Sequence, residues 1–337
     1  MNLVILGSGG CTLTPRPGCN CRVCSEARVK GVPYSRSGPA LFLYDENILF
    51  DTPEEIAYQL NREGIDRVDR IFYSHWHPDH TMGMRVIEQI AINWIERISK
   101  GLEPKKKIEV YALKDVFNDL LKIRNKFEPY LKYYAKLGIA VLKPLNSGEP
   151  VDFGRVRVTC FPVEHKGFTS TVFLIEEKEK KVVYAPCDIR PFPVREELKN
   201  LDLLIIGGVF PKGPLKGGLE IREDSPTRKM FFSIDELLEL VEKLRHRAMV
   251  FLREAKRFLE EGEYDLACFS AEQAVQLYLK SVFLKLFGEA PRIRGARELL
   301  GLLASRLHQE GFKKEAVEIK EFTRENRYAL SVLEDAY

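Results

Sequence analysis

The chain has 337 residues, of which 45% are hydrophobic and 30% charged, and its formal net charge is +3. This length allows two domains with separate cores, and the near-neutral charge gives no electrostatic argument for nucleic acid or an acidic membrane. No apolar run approaches the roughly 20 residues that cross a bilayer. Seven cysteines without an export signal favour thiols or metal ligands over disulfides. We therefore expect a cytoplasmic protein that does not enter a membrane.

Three cysteines follow the first predicted strand within six residues of one another. The strand covers Leu3–Leu6, and Cys19, Cys21 and Cys24 come after a glycine-rich turn. Thiolates at this spacing are typical of a tetrahedral zinc site, which needs a fourth ligand from elsewhere in the chain. Unrelated buried thiols are the alternative interpretation. The spacing therefore predicts a zinc site.

A predicted hairpin comes next and ends in an acidic residue. Its strands are Ala40–Tyr44 and Asn47–Phe50, and Asp51 follows directly, ahead of Thr52-Pro53. An aspartate before a proline is a typical start of a helix, where the carboxylate accepts from free backbone N–H groups. The sequence therefore allows Asp51 to act as a helix cap.

The sequence Ser74-His75-Trp76-His77-Pro78-Asp79-His80-Thr81 concentrates three imidazoles and two carboxylate oxygens in one short stretch. The run Val68–Tyr73 predicts a strand before it, and helical spacing begins at Thr81. The apolar residues expected on one helix face are Met84, Ile87, Ile90, Ala91, Trp94, Ile95 and Ile98. His75 and His77 can converge on one metal, while Asp79 and His80 face a second. The alternative is a surface loop that happens to be rich in histidine.

The histidine motif resembles the H-x-H-x-D-H signature of the metallo-β-lactamase-fold hydrolases. That resemblance implies an αββα sandwich, hence an α/β domain, with an active site for one or two ions, Zn²⁺ and/or Mn²⁺. The cysteine motif, G-C-x-C-x-x-C, resembles the structural zinc site of the PhnP-type cyclic phosphodiesterases, a subgroup of this fold. In that subgroup a late histidine supplies the fourth ligand. The resemblance thus implies one structural Zn²⁺ at Cys19, Cys21 and Cys24.

The resemblance extends along the chain to further ligands. The string ending at Asp51-Thr52-Pro53 resembles the family's first motif, whose aspartate supports the ligand loop from behind. His165 follows a predicted strand over Val156–Pro162, and Asp188 follows a predicted hairpin, where the family places a third ligand and a bridging carboxylate. The ligands implied are His75, His77 and His165 for metal one, Asp79 and His80 for metal two, and Asp188 between them.

The residue pattern changes from that of strands to that of helices after a connector rich in glycine and proline at residues 207–229. A capping box at Ser233–Glu236 opens the first of four predicted helices, over residues 233–261, 264–287, 294–310 and 313–337. The strings at 255–280 and Leu333–Tyr337 resemble a HEPN domain. No histidine follows Arg324 or Arg327, so the Arg–His pair of HEPN nucleases is absent. We predict a hydrolase domain at 1–229 and an all-α helical bundle at 230–337 that binds nucleotide or RNA, or forms a homodimer.

One part of the hydrolase pattern is missing from the sequence. The family's fifth-motif histidine on a late strand has no counterpart, because the helical segment takes its place. His246 and His308 lie within helical patterns, where ordinary surface or interface histidines are expected. The second metal therefore has fewer predicted ligands than the first, and we expect it to bind more weakly.

The predicted function is a metal-dependent phosphodiesterase that acts on a small, including cyclic, phosphodiester through a hydroxide that the metal generates. Asp79 is predicted also to accept a proton from the water. Phosphorus as the target is implied by the PhnP-type resemblance, since these ligands would equally serve a lactam or a thioester. One alternative is a degenerate hydrolase scaffold, in which the helical module carries the function of the protein. Another is an RNA-processing metallonuclease, which the cysteine triplet and the near-neutral charge disfavour.

Overall fold

The computed structural model describes residues 1–104, 106–193, 195–198, 201–210, 221–234, 236, 246–287, 291, 293 and 295–334. The chain divides into two compact units. The first comprises Met1–Val194 and Leu204–Ser233, and the second comprises Arg195–Leu203 and Ile234–Tyr337. The predicted domain boundary between residues 229 and 230 stays a prediction. Within the described ranges, every helix is too short or too polar to span a membrane.

The first sheet has six strands in chain order: β1 Leu3–Gly7, β2 Ala40–Leu43, β3 Ile48–Phe50, β4 Arg70–Phe72, β5 Ile108–Leu113 and β6 Ala140–Leu145. The pairs β1/β2 and β2/β3 are antiparallel, and the strands from β3 to β6 run parallel. Parallel neighbours end at the same edge of a sheet, which is where ligands bind in many α/β proteins. Asp51 after β3 and the histidine motif after β4 therefore lie side by side.

The second sheet has the order β11-β10-β9-β8-β7, from β7 Pro150–Asp152, β8 Arg157–His165, β9 Phe168–Glu177, β10 Lys180–Ala185 and β11 Leu203–Ile206. The hairpin of β8 and β9 pairs His165 with Phe168 at its turn. A small parallel sheet joins β12 Val209–Phe210 to β13 Phe232–Ser233, at the two ends of the connector. This short sheet was not predicted.

Aromatic rings form the core between the two large sheets. Phe50 of β3 lies edge-on to Phe173 of β9 at 5.0 Å between ring centroids, and Phe72 of β4 stacks on Tyr111 of β5 at 4.7 Å. The helices of this unit are α1 Arg22–Lys30, α2 Ile56–Arg62, α3 Pro78–Thr81, α4 Val86–Ala91, α5 Trp94–Lys100, α6 Lys114–Leu120, α7 Tyr130–Lys136 and α8 Pro226–Met230. Two facing sheets with these helices confirm the predicted α/β fold.

The helix predicted from Thr81 onward is broken by an asparagine. The helix expected to continue past Ala91 ends there, and the Asn93 side chain accepts from the Glu96 N–H at 3.2 Å to begin α5. Trp94, Ile95 and Ile98 are consequently exposed, so the prediction that they share one helix face with Met84 and Ile87 was wrong. Likewise, Asn125 accepts from two backbone N–H groups between α6 and α7. Asparagine stabilises such turns because its side chain replaces the missing backbone acceptors.

The second unit is helical among the residues described, with α9 His246–Glu260, α10 Tyr264–Phe287, α11 Ala296–Gln309, α12 Lys313–Glu325 and α13 Arg327–Glu334. Its core includes Phe283, Leu299, Leu303 and Leu330. The predicted last helix is divided at Asn326. Asp235 of the predicted capping box, residues 335–337 of the HEPN-like string and the side chain of His246 lie outside the described residues.

Candidate metal centre

The histidine motif forms a loop that is fixed to the helix after it. The helix α3 begins at Pro78, three residues before the predicted start at Thr81, because proline is favourable in the first helical turn. Asp79 and His80 therefore lie in that turn, while His75 and His77 precede it. The Thr81 hydroxyl donates to the carbonyls of Trp76 and His77 at 3.1 and 3.0 Å. These bonds hold the loop close to the helix.

Asp51 fixes this loop from behind. Its carboxylate accepts from the Ser74 N–H, the Ser74 hydroxyl and the His80 Nδ1, each at 2.7 Å. The residue is fully buried and has a left-handed backbone with a φ of 62°. Since His80 donates from Nδ1, its Nε2 keeps the lone pair that a metal needs. Ser74 was not predicted, although its position directly before His75 is a usable signal.

His75, His77 and Asp188 come together on one side of the site. The Asp188 Oδ2 lies 3.2 Å from the His75 Nε2 and 3.0 Å from the His77 Nδ1. Nitrogen and oxygen ligands of one tetrahedral zinc, at bond lengths of about 2.0–2.2 Å, lie about 3.3–3.6 Å apart. The two observed distances are slightly shorter, so these atoms are close enough together to share a single ion. His75, His80 and Asp188 are fully buried.

Several atoms that could bind a metal in this site make no hydrogen bond to any described residue. In the described part of the chain, the Nε2 atoms of His75 and His80 and both carboxylate oxygens of Asp188 are buried without a hydrogen-bond partner. Buried polar atoms are normally paired, because leaving them unpaired costs free energy. A divalent cation would satisfy all of these lone pairs at once, so the residues fit the metal that the motif implies.

The pKa values of His75 and Asp188 agree with metal binding. Burial, reinforced by the neighbouring His80, lowers the pKa of His75 to about 4. Burial acts to raise the pKa of Asp188, but the nearby imidazoles of His75 and His77 hold it below its ordinary value. His80 is also subject to burial, yet the Asp51 carboxylate raises its pKa. A neutral His75 and a charged Asp188 are the protonation states in which these groups bind a cation.

His165 lies at the edge of the site and contacts the backbone of Asp188. Its Nε2 is 2.7 Å from the Asp188 carbonyl oxygen and 3.3 Å from the Ser170 hydroxyl, which donates to the same carbonyl. The His165 ring stacks on Phe168 at 4.5 Å. The structure thus does not bring His165 into the group of His75, His77 and Asp188, and its predicted role as a ligand stays a prediction. Ser170 was not predicted.

A second group of donors lies beside His80. The Asp79 Oδ2 is 3.7 Å from the His80 Nε2. One ring nitrogen each of His75 and His80 and the Cys187 sulfur lie within 4.8 Å of one another. Cys187 was not among the predicted site residues, although it directly precedes Asp188.

The three early cysteines meet at the start of a helix. Cys21 precedes α1, Cys24 lies in its first turn, and the sulfurs of Cys19, Cys21 and Cys24 are within 4.8 Å of one another. Hydrogen bonds from the backbone and thiol of Cys21, and from Cys24, lower the pKa of Cys19 to about 7. The group includes no fourth side chain among the residues described. It is compact enough for one zinc ion.

Comparison with known proteins now adds to this geometry. The model of the β-lactamase superfamily domain matches residues 46–252. This chain belongs to the β-lactamase superfamily. The model of the HEPN domain matches residues 241–337, as the helical part of the sequence predicted. Together with the donor cluster, the superfamily fold makes the chain a metal-dependent hydrolase followed by a HEPN domain.

Similar proteins include ribonucleases of Pyrococcus and Thermococcus species. Ribonuclease Z of Pyrococcus abyssi is 24% identical over 306 residues, which cover 87% of each chain. Ribonuclease Z of Thermococcus gammatolerans is 25% identical over 333 residues, which cover 92% of this chain and 90% of the relative. A solved diphosphatase of the PhnP family has a TM-score of 0.49 and 20% identity, covering 72% of this chain and 82% of that one.

Proposed function

We propose that this hydrolase is a phosphodiesterase that acts on a small, including cyclic, phosphodiester. The observation that supports it best is the cluster of His75, His77 and Asp188, in which the His75 Nε2 and both Asp188 oxygens are buried without a hydrogen-bond partner and fit a divalent cation. The curated relatives are ribonucleases, which break phosphodiester bonds. Their chemistry favours phosphorus over the carbonyl carbon of a lactam or thioester.

The side chains have distinct roles in this proposal. His75, His77 and Asp188 hold one ion with His165 as a further ligand, while Asp79, His80 and Asp188 hold a second. A divalent cation held by these residues would lower the pKa of a water to about 7 and would polarise the phosphoryl oxygen. Asp79 retains some exposure, with 16% of its side chain accessible, and accepts the proton of the attacking water. Asp51 and Ser74 keep the imidazoles oriented.

The ions we propose are Zn²⁺ and/or Mn²⁺ at the active site and one structural Zn²⁺ at Cys19, Cys21 and Cys24. Imidazole and carboxylate accept both Zn²⁺ and Mn²⁺, whereas a group of three thiolates selects zinc. The lowered pKa of Cys19 supports thiolate formation at neutral pH. The fourth zinc ligand in this proposal is Cys11, another side chain or water.

RNA is the second candidate substrate. The similarity to Ribonuclease Z extends over 87% of this chain, which favours an RNA phosphodiester over a small molecule. In that case the HEPN domain would bind the RNA. The domain is proposed as a nucleotide- or RNA-binding or dimer-forming module because its sequence has no histidine after Arg324 and Arg327.

Turnover of two substrates by one preparation tests these proposals. We would measure hydrolysis of bis(p-nitrophenyl) phosphate and cleavage of a structured RNA, before chelation, after it, and after reloading with Zn²⁺ or Mn²⁺. A small-molecule phosphodiesterase hydrolyses the first substrate in a metal-dependent way and leaves the RNA intact. Cleavage of RNA alone would favour the ribonuclease. Inactivity on both, with the metal bound, would favour a scaffold that serves the HEPN domain.

A further inference from the structure

A cysteine borders the imidazole cluster at a position where the sequence predicted only an aspartate. The strand β10 ends at Ala185, and Pro186-Cys187-Asp188 follows it into the site. The Cys187 sulfur lies within 4.8 Å of one ring nitrogen of His75 and one of His80. A thiolate and two imidazoles at this separation form a typical zinc-binding set.

Each of the two imidazoles in this set has one ring nitrogen that makes no hydrogen bond within the described residues. Asp51 accepts from the His80 Nδ1 at 2.7 Å, so the nitrogen that remains is Nε2. The Nε2 atoms of His80 and His75 are buried and, within the described residues, make no hydrogen bond. Both rings are fully buried, so water does not compensate them from the surface. The first ion takes the His75 Nε2 in the proposal above, so the cysteine borders one lone pair, on the His80 Nε2, that still requires a partner.

The ligand count gives Cys187 a specific role. The sequence pattern predicts no counterpart of the family's late histidine, which would leave Asp79, His80 and the shared Asp188 for the second ion. On the basis of the metal-dependent function proposed above, we propose that Cys187 is a ligand of this second ion and replaces the missing imidazole. The thiol releases its proton to solvent when the metal binds, as metal-ligating cysteines do.

A thiolate ligand also determines which metal binds. Thiolates prefer Zn²⁺ and other soft or borderline ions, whereas Mn²⁺ prefers oxygen ligands. The second site should therefore bind Zn²⁺ or Co²⁺ much more tightly than Mn²⁺. The first group, which offers imidazole and carboxylate alone, should discriminate less between these ions.

Cobalt spectroscopy tests the ligand directly and independently of turnover. The full chain carrying Cys19→Ser, Cys21→Ser and Cys24→Ser would be loaded with two equivalents of Co²⁺, so that no thiolate of the triplet contributes. We expect a sulfur-to-cobalt charge-transfer band in the near ultraviolet that disappears when Cys187→Ser is added. Cys268→Ser is the matched control, because among the described residues this partly exposed thiol of α10 belongs to no group of potential metal ligands, and it should leave the band intact.

A second comparison covers the case in which the triple variant does not fold. With the triplet intact, Cys187→Ser should remove about one quarter of the band, which is one thiolate of four. The same substitution should weaken binding of the second Zn²⁺ by about 10- to 100-fold and leave Mn²⁺ binding nearly unchanged. Unchanged band intensity after Cys187→Ser, in every background that folds, would show that Cys187 is only a packed thiol. A band present in a chain without phosphodiesterase activity would uphold the ligand and reject the proposed reaction.

Discussion

At the scale of single residues, Asp51 and Ser74 organise the metal-binding loop. Asp51 accepts three hydrogen bonds with no exposure to solvent, and two of their donors belong to Ser74. The third donor is His80, whose remaining nitrogen faces the proposed ion. The orientation of His80 thus depends on a carboxylate that contacts no substrate.

We expect Asp51→Ala to weaken metal binding and to destabilise the fold. Each donor left buried without an acceptor costs about 1–3 kcal/mol, and loss of such support for a ligand commonly lowers metal affinity by about 10- to 100-fold. Titration calorimetry with Zn²⁺ and thermal unfolding measure the two effects. Asp66→Ala, at an exposed aspartate away from the ligands, serves as the control and should change neither.

The buried His75 predicts a pH dependence of stability in the metal-depleted chain. Its pKa is lowered from 6.5 to about 4 in the folded state, mainly by burial, so the unfolded chain binds the proton more readily. The unfolding free energy is therefore highest above pH 6.5 and falls as the pH decreases towards 4, by on the order of 3 kcal/mol from this group. Denaturant titrations from pH 4 to 7 should show that the unfolding free energy falls more steeply with decreasing pH in wild type than in His75→Gln. Parallel profiles would contradict the prediction.

Much of the site could be predicted from the sequence, because its chemistry is concentrated in short motifs. His75, His77 and Asp188 carry recognisable spacing or positions, and the structure brings them together. Ser170 and Cys187 were missed, because a serine or a single cysteine acquires meaning only from its neighbours in the folded chain. The direction of the His165 ring likewise depends on the Asp188 carbonyl, which no local pattern encodes.

At the scale of elements, strand ends position the ligands and loops set their orientation. The residues after β3 and β4 meet because these strands are parallel, and Asp188 approaches from the end of β10 in the other sheet. Short runs of apolar, β-branched and aromatic residues predicted these strands. Helix boundaries were less predictable, because Asn93 stops an apolar pattern that would otherwise continue.

Gly207 lies so close to the backbone of Pro186 that a larger residue at this position should displace the loop. A Cβ atom at Gly207 would lie 1.9 Å from the Pro186 carbonyl oxygen, in the segment that leads to Asp188. Gly207→Ala should displace that segment, lower the melting temperature and reduce the amount of bound Zn²⁺. Gly10→Ala is the control, because nothing lies within 4 Å of its added Cβ. Normal zinc content in Gly207→Ala would show that the loop tolerates the shift.

The cysteine cluster at the start of α1 predicts a separate zinc equivalent. Replacing Cys19, Cys21 and Cys24 by serine should remove one zinc per chain, because a neutral hydroxyl is a far weaker zinc ligand than a thiolate. Elemental analysis after dialysis measures the loss, and Cys268→Ser provides the matched control in α10. An unchanged zinc content in the triple variant would reject the structural site.

At the scale of the whole molecule, the chain joins a catalytic unit to a helical one. The two family models together match residues 46–337, and the cysteine cluster precedes both. The two-part organisation could be predicted because strand patterns give way to helical periodicity. The small sheet of β12 and β13 could not, since each strand has only two residues. Too few residues alternate there to mark a strand.

The metal content of the purified chain tests the central claim most directly. Wild-type protein, His77→Ala, Asp188→Asn and the control Asp152→Asn, an exposed aspartate on β7, would be chelated, reloaded with Zn²⁺ and dialysed. We expect wild type and Asp152→Asn to retain active-site zinc and to hydrolyse bis(p-nitrophenyl) phosphate. His77→Ala and Asp188→Asn should lose both, because each removes a ligand of the first ion. Full zinc occupancy and full activity in either variant would contradict the metal centre described.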